Sequence, residues 1–324
     1  MTNAHPMQQF HDVIANVLDY GIRRLNKRTG QYTRFLPGQV LRFDLADGFP
    51  AITTKKLAFK SAVGELLGFF RGYDSAAQFR ELGCKVWDGN ANETPAWLAN
   101  PLRQGRPDYL GRVYSAQWTD WRDWRSVTSE AEADALVAKG YSIQAYDSEF
   151  GVWVLRKGIN QLEQILHTLM TDPSDRRMVL TGWRPDEWDQ AALPSCHTEY
   201  VFTADTENNV LHMTMMMRSY DMGLGFNPTL CGLMLAIMAK LASMTPGTFT
   251  MAIADCHVYE AHEPGLREML SREHFPQPTL DLGDSIPALK SVDDIPGVFA
   301  RIQPEDIQLV GYQSHPAIKM PMAV

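Results

Sequence analysis

The sequence has few cysteines, no excess of basic charge and no long apolar segment. Its four cysteines include no C-x-x-C pair, which argues against a disulfide framework or a zinc ribbon. The formal net charge of −8 argues against a general nucleic-acid-binding protein, which normally carries a basic face. No apolar run reaches the roughly 20 residues that cross a bilayer, and the N-terminal residues do not resemble a signal peptide. We therefore expect a cytoplasmic protein that binds neither nucleic acid nor membranes.

The chain contains enough apolar residues to build one large core, because 45% of its 324 positions are hydrophobic. Helical spacing of apolar residues predicts helices over 7–26, 61–70, 158–170 and 228–244. Strand-like patterns occupy 40–43, 178–183, 199–204, 210–217 and 248–253. This mixture of elements predicts an α+β layered domain.

Two short segments carry the most reactive side chains. Leu193-Pro194-Ser195-Cys196-His197 contains a thiol, and Met217-Arg218-Ser219-Tyr220-Asp221 contains a guanidinium and a carboxylate. A cysteine attacks as its thiolate, and a nearby arginine lowers the pKa of a thiol below its ordinary value of about 8.5. Cys196 is therefore a candidate nucleophile beside Arg218. The alternative is a small, buried and inert cysteine.

Further motifs resemble, in order and over nearly the whole chain, those of the thymidylate synthase family, which includes pyrimidine nucleotide hydroxymethylases. Besides the two segments above, they are Lys27-Arg28-Thr29-Gly30, Asp47-Gly48-Phe49-Pro50, Thr53-Thr54-Lys55-Lys56, Glu65-Leu66-Leu67, Val86-Trp87-Asp88, Tyr114, Asp175-Arg176-Arg177, Asp255-Cys256-His257-Val258-Tyr259 and the tail from His315. The resemblance implies one catalytic domain over 1–324, with a large mixed β-sheet surrounded by helices. It is weakest within 92–153, which we interpret as a partly helical insertion on the rim, since long insertions cost little loop-closure free energy.

The family chemistry adds a one-carbon unit to C5 of a pyrimidine nucleoside 5′-monophosphate, with 5,10-methylenetetrahydrofolate as co-substrate. C5 is a poor nucleophile until a thiolate adds to C6, which makes covalent catalysis the natural route. The resemblance implies five catalytic residues: Cys196, Glu65, Arg218, Tyr114 and His197. Glu65 stands in an apolar run, where burial would raise its pKa and suit proton relay; the alternative places it on the exposed face of its helix. His197 receives a supporting role, because adjacent strand residues point to opposite faces.

The resemblance also implies how the nucleotide is held. Arg28, Arg218 and Ser219 match the family's phosphate ligands, and guanidinium groups suit bidentate phosphate recognition. Arg176 and Arg177 match the pair that each subunit lends to its partner's site, which requires a homodimer with shared active sites. From pattern alone, such arginines more often form surface ion pairs.

The sugar and folate ligands follow in the same way. His257 and Tyr259 share a strand face and match the ligands of the sugar 3′-hydroxyl, although half-buried packing is the alternative. The folate residues implied by the resemblance are Lys55, Trp87, Asp221, Met322 and Ala323. No metal is expected, because His257, Glu260 and His262 lack the H-E-x-x-H spacing.

The resemblance weakens at the residue that reads the base. Thymidylate synthases have an asparagine here; an ungapped register puts Thr229 in its place, whereas a two-residue deletion returns Asn227 to it. We favour Thr229, since the following helix then keeps its phase. Met217 and the pair Arg184-Pro185 also depart from the common pattern, in the direction of the deoxycytidylate hydroxymethylases. The sequence therefore favours hydroxymethylation of dUMP or dCMP. Methylation of dUMP to dTMP with release of dihydrofolate is the alternative, and a catalytically silent nucleotide- or folate-binding homologue is a third possibility.

Overall fold

The protein is described by a computed structural model that covers residues 5–320. Its helices are α1 (Gln8–Tyr20), α2 (Phe59–Phe70), α3 (Ala76–Glu81), α4 (Asp88–Asn92), α5 (Pro95–Leu98), α6 (Tyr114–Thr119), α7 (Glu130–Val137), α8 (Gln161–Thr171), α9 (Asn227–Leu241), α10 (Glu263–Leu270) and α11 (Val298–Arg301). Its strands are β1 (Ile22–Asn26), β2 (Gln31–Asp44), β3 (Trp121–Val127), β4 (Ser142–Asp147), β5 (Val152–Ile159), β6 (Val179–Thr181), β7 (His197–Asp205), β8 (Val210–Met217), β9 (Tyr220–Asp221), β10 (Thr245–Tyr259), β11 (Thr279–Leu282) and β12 (Ile307–Val310).

A seven-stranded mixed sheet forms the centre of the fold, in the order β1-β2-β10-β8-β7-β6, with β9 paired to β10. Strand β10 runs antiparallel to β2 and parallel to β8. Helix α9 packs on one face and is buried at nearly every position, as expected of a helix that is apolar all round. The predicted α+β fold with a large mixed sheet is confirmed.

The face of the sheet opposite α9 carries apolar side chains that are exposed to solvent. Val40, Ala252 and Met216 are cross-strand partners on β2, β10 and β8, so their side chains lie side by side. Val40 is 58% exposed and Met216 is 41% exposed. An apolar row of this kind is suited to burial against another surface.

Two predicted helix boundaries are wrong. The opening helix ends at Tyr20 rather than continuing to 26, because Gly21 turns into extended backbone and β1 begins at Ile22. A Cβ at position 21 would lie 2.2 Å from the Val17 carbonyl oxygen, so this close exit requires glycine. Residues 158–159 finish β5 instead of starting a helix. The side chain of Asn160 then caps α8 by accepting from the Glu163 N–H.

The predicted insertion lies within 92–153. In this range Trp97, Leu110 and Trp118 are buried in the main core. The separate unit is the three-stranded sheet β3-β5-β4 with α7, which together occupy 121–159. Within residues 5–320, no helix has the length and apolar character needed to cross a membrane.

Candidate active site

A cavity of about 890 Å³ lies where β7, β8 and β10 approach α2 and the first turn of α9. It brings together most of the side chains that the sequence singled out. The predicted residues that line it are Arg28, Lys55, Glu65, Trp87, Tyr114, Cys196, His197, Arg218, Ser219, Asp221, Asn227, His257 and Tyr259. Segments from distant parts of the chain thus converge on one site.

Three predicted residues of the described part of the chain are not among those that line it. Arg176 and Arg177 lie on exposed backbone before β6, where Arg177 pairs with Asp175 at 2.7 Å. Thr229 is fully buried outside the cavity. Met322 and Ala323 lie outside the described residues.

Cys196 immediately precedes β7 and is held next to Arg218. The Arg218 guanidinium donates from Nε to the Ser195 carbonyl at 2.9 Å and from Nη2 to the Pro194 carbonyl at 2.6 Å. Its Nη2 also lies 3.6 Å from Cys196 Sγ. No carboxylate of residues 5–320 forms a salt bridge with Arg218. The positive charge is therefore directed to the thiol and to the cavity.

Two neighbours of the thiol are buried and neutral. The Cys196 N–H donates to the Tyr114 hydroxyl, and burial raises the pKa of Tyr114 well above its usual value. Burial lowers the pKa of His197 to about 4, so this imidazole is uncharged at neutral pH. Its Nδ1 lies 2.7 Å from the Tyr200 hydroxyl. His197 therefore cannot act as a cationic partner of the thiolate at neutral pH, which agrees with a supporting role.

Glu65 lies on α2 and reaches the cavity from its apolar side. It is 7% exposed, so the alternative of a solvent-facing glutamate is wrong. Burial raises the pKa of its carboxyl to about 8, against an opposing effect of the Trp87 indole. At neutral pH the group is largely protonated, and its position and pKa suit the transfer of protons.

Arg28, Arg218 and Ser219 all line the cavity and offer two cations and a hydroxyl to an anionic group. The Arg28 N–H donates to the Asn26 side-chain oxygen at 3.0 Å, which shapes the loop between β1 and β2. Among residues 5–320, Arg28 forms no salt bridge with a carboxylate. Two guanidinium groups without acidic partners are typical of a phosphate site.

Asn227, not Thr229, faces the cavity. Thr229 is buried and donates from Oγ1 to the Pro50 carbonyl at 2.9 Å, so the predicted position of Thr229 beside the base is wrong. The reason is helical geometry: α9 begins at Asn227, and two residues turn a helix by about 200°. Asn227 contacts Met217, with Nδ2 at 3.6 Å from Sδ.

Lys55, Asp221 and Trp87 also line the cavity. Lys55 Nζ donates to the Gly223 carbonyl at 2.6 Å. Burial lowers the pKa of Lys55 to about 8, against the attraction of Asp221. Two residues of the C-terminal tail, Ile318 and Met320, also line the cavity. The described part of the tail therefore reaches this cavity.

Asn90, Trp183 and Trp188 are among the lining residues that the sequence analysis missed. Asn90 is 6% exposed and follows Trp87 by three positions, so helical spacing could have indicated it. Trp183 lies with its ring centroid 5.5 Å from the Arg218 guanidinium carbon, in cation–π geometry. Trp188 contacts Trp183 edge-on. Nothing in the local pattern distinguishes these two tryptophans from core residues.

No group of three or more His, Cys, Asp or Glu side chains in residues 5–320 is arranged to hold a metal ion. The described cavity offers a thiol, the buried carboxyl of Glu65, the Asp221 carboxylate, neutral polar groups, and guanidinium and ammonium cations. This set is suited to nucleophilic addition to an anionic substrate, with proton transfer by the carboxyl.

Comparison with known proteins agrees with this arrangement. Residues 8–324 match the family model described as thymidylate synthase. A thymidylate synthase from Pseudomonas putida is 44% identical over 325 residues, covering 98% of this chain and 100% of the relative. One from Bordetella parapertussis is 45% identical over 326 residues with the same coverage, and one from Haemophilus influenzae is 35% identical over 322 residues. The chain belongs to the thymidylate synthase family of folate-dependent one-carbon transferases.

Proposed function

We propose that the protein methylates dUMP to dTMP with methylenetetrahydrofolate and releases dihydrofolate. The observation that carries this proposal is the placement of Cys196, Arg218 and Glu65 in one cavity that is also lined by the amide of Asn227. An amide presents a donor and an acceptor together, which matches the O4 and N3–H of uracil. The relatives named above as thymidylate synthases support the same activity.

The thiolate of Cys196 would add to C6 of the pyrimidine, forming the Sγ–C6 bond and moving the electrons of the C5–C6 double bond toward C5 and O4. Arg218 stabilises the thiolate before attack, since its Nη2 lies 3.6 Å from Sγ. C5 then acts as the nucleophile toward the one-carbon unit. Loss of the C5 proton then expels the folate nitrogen from the one-carbon unit, and hydride addition to that carbon restores the C5–C6 double bond and expels the thiolate.

Glu65 would exchange protons with the pyrimidine during these steps. Its carboxyl is buried and has a pKa of about 8, so it can donate a proton at neutral pH and recover it afterward. Asn227 would hold the base edge, while Arg28, Arg218 and Ser219 would hold the phosphate. His257 and Tyr259 would contact the sugar from β10.

Lys55, Trp87 and Asp221 would hold methylenetetrahydrofolate, with Ile318 and Met320 of the tail covering it. When bound, this co-substrate supplies the one-carbon unit and the hydride that makes it a methyl group. The apolar tail and the buried Trp87 would keep water from that reaction.

The active form would be a homodimer in which Arg176 and Arg177 of each subunit serve the partner's phosphate site. Both arginines are exposed and are not among the residues that line the cavity of their own chain. The exposed row formed by Val40, Ala252 and Met216 offers an apolar face that a second copy could bury.

Hydroxymethylation is now the second candidate. One of its two sequence arguments, Arg184, is not among the lining residues: its Nη1 donates to the Arg122 carbonyl at 2.9 Å and its guanidinium stacks on Trp121. Met217 does line the cavity and keeps this candidate open. A silent binding homologue has little support, because the thiol, the buried carboxyl and the guanidinium are all in place.

The proposal is tested by mass spectrometry of the products formed from dUMP, dCMP and CMP with methylenetetrahydrofolate. We expect dTMP from dUMP and little product from the other two nucleotides. Cys196→Ser serves as the control, because it should bind nucleotide through the phosphate residues yet form no product. A 5-hydroxymethyl product would favour the second candidate, and binding without turnover would favour the silent homologue.

A further inference from the structure

Asp255 joins two residues that belong to different parts of the site. Its Oδ1 lies 3.0 Å from Nδ1 of His257, which lines the cavity. Its Oδ2 accepts from Nη2 of Arg24 on β1. Asp255 and His257 are two positions apart on β10 and therefore point to the same face of the sheet. Arg24, Asp255 and His257 form a continuous chain of contacts that ends in the cavity.

Arg24 is itself held in place. Its guanidinium carbon lies 4.0 Å from the ring centroid of Phe35, and Phe35 is the cross-strand partner of His257. Strands β2 and β10 thus hold both ends of this series of contacts, Arg24 and His257. Although burial opposes ionisation, the hydrogen bonds from His257 and Arg24 lower the pKa of Asp255. At neutral pH the carboxylate is ionised and can only accept hydrogen bonds.

An ionised carboxylate at Nδ1 decides which ring nitrogen of a neutral histidine carries the proton. Nδ1 must be protonated to donate to Asp255, so Nε2 is left with a lone pair. Nε2 is the remaining ring nitrogen through which His257 can bind a ligand. A ligand group that meets Nε2 must then be a donor, as a hydroxyl is and an ether or a fluorine is not.

We propose that Asp255, held by Arg24, is a positioning residue that fixes His257 as a hydrogen-bond acceptor and so makes the site select nucleotides with a free 3′-hydroxyl. The identity of the ligand rests on the proposed function, whereas the tautomer of His257 does not. A nearby ion pair provides a matched comparison: Arg23 and Glu260 contact each other at 2.7 Å between β1 and the residue after β10, and neither lines the cavity.

The tautomer is measured by NMR of the full chain labelled with ¹⁵N-histidine, with the signals of His257 identified by their loss in His257→Gln. We expect a protonated Nδ1 and an unprotonated Nε2 in the wild type. Asp255→Asn, whose amide can donate to Nδ1, should move the proton to Nε2, and Arg24→Gln should populate the same form partially. Glu260→Gln should leave the signals unchanged. A wild-type His257 that carries its proton on Nε2, or on both nitrogens, would overturn the proposal.

Selectivity is measured as kcat/KM for dUMP and for its 3′-deoxy and 3′-fluoro analogues. The wild type and Glu260→Gln should prefer dUMP by about tenfold or more, because each analogue leaves Nε2 without a donor. Asp255→Asn should lose most of this preference through a fall in kcat/KM for dUMP, with little change for the analogues. An equal fall for all three nucleotides would indicate a merely structural role and contradict the proposal. If the wild type turned over none of them, the proposed function would fail while the NMR result still tested the tautomer.

Discussion

Arg218 and Cys196 are joined twice: the Arg218 N–H donates to the Cys196 carbonyl at 2.9 Å, and the Arg218 Nη2 lies 3.6 Å from the Cys196 thiol. The two residues are 22 positions apart, but they flank β7 and β8, which pair antiparallel with His197 opposite Met217. The register of two strands therefore places the cation beside the nucleophile. The site is formed by the sheet itself and needs no loop closure to bring the two together.

Arg218 should control the reactivity of this thiol. Arg218→Gln removes the charge and should slow alkylation of Cys196 by iodoacetamide about tenfold or more. Arg218→Lys keeps a charge but loses the paired contacts with the Ser195 and Pro194 carbonyls. Its Cys196 should therefore be alkylated at a rate between those of the wild type and Arg218→Gln. The rates are read by mass spectrometry of the Cys196 peptide, with fully buried Cys231 as an internal unreactive control. Equal rates in all three proteins would exclude this role.

Glu65 should make stability depend on pH. Its folded pKa of about 8 exceeds the ordinary value of 4.5, so the protonated carboxyl contributes stability that is full below pH 4.5 and is lost as the pH rises through 8. Glu65→Gln cannot ionise and should gain free energy of unfolding relative to the wild type as the pH rises from 4.5 to 8, in total on the order of 5 kcal/mol. Urea denaturation at several pH values measures the difference.

The same variant separates stability from catalysis. Glu65→Gln should bind nucleotide yet turn it over poorly, because the amide cannot transfer a proton. The exposed Glu207→Gln is a matched control that should change neither property. A stability difference for Glu65→Gln that does not vary with pH would mean that the carboxyl is not protonated in the folded state.

Asn227 should decide the base, and Thr229 should not. Asn227→Asp places an acceptor-only carboxylate beside the base, which suits the 4-amino group of cytosine and repels the O4 of uracil. Mismatches of this kind cost about 1–3 kcal/mol each, so preference should move toward dCMP roughly tenfold to a hundredfold. Thr229→Val should lower stability by about 1 kcal/mol, through loss of the bond to Pro50, without changing the ratio of kcat/KM values. A change of base preference in Thr229→Val would instead support the ungapped register, in which Thr229 lies beside the base.

Shared active sites should be visible by complementation. Inactive Arg176→Ala and inactive Cys196→Ser chains, mixed under conditions of demonstrated subunit exchange, should recover about a quarter of wild-type activity, because each heterodimer contains one intact site. Cys196→Ser mixed with Glu65→Gln is the control: both residues line the cavity of one chain, so no intact site forms. Recovery in the control but not in the first mixture would contradict the sharing of Arg176.

Much of the site was predictable because its residues belong to motifs with fixed local geometry. His257 and Tyr259 lie on one face of β10 as alternation requires, and most residues implied by the resemblance meet in one cavity. Thr229 was misplaced because an undetermined gap before α9 changes the helical phase, and only tertiary packing against Pro50 fixes it. The contribution of Trp183 was equally hidden, since its contact with Arg218 is made across the fold.

The fold, like the site, was predictable only in part. The buried helices and central strands follow their apolar periodicity, as α2 and β8 illustrate. The end of α1 at Tyr20 depends on a close approach of Gly21 to the Val17 carbonyl, which composition does not reveal. The sheet β3-β5-β4 pairs strands across α7, and its exposed strand β4 carries no clear alternation of burial to indicate it.

Reduction of the one-carbon unit to a methyl group on C5 of uracil would yield one dihydrofolate for each dTMP. Dihydrofolate formation is followed by absorbance while dTMP is quantified in the same reaction with dUMP and methylenetetrahydrofolate. We predict that dihydrofolate and dTMP accumulate in equal amounts and that Cys196→Ser forms neither. Consumption of dUMP with a 5-hydroxymethyl product and no dihydrofolate would show that the protein does not methylate dUMP.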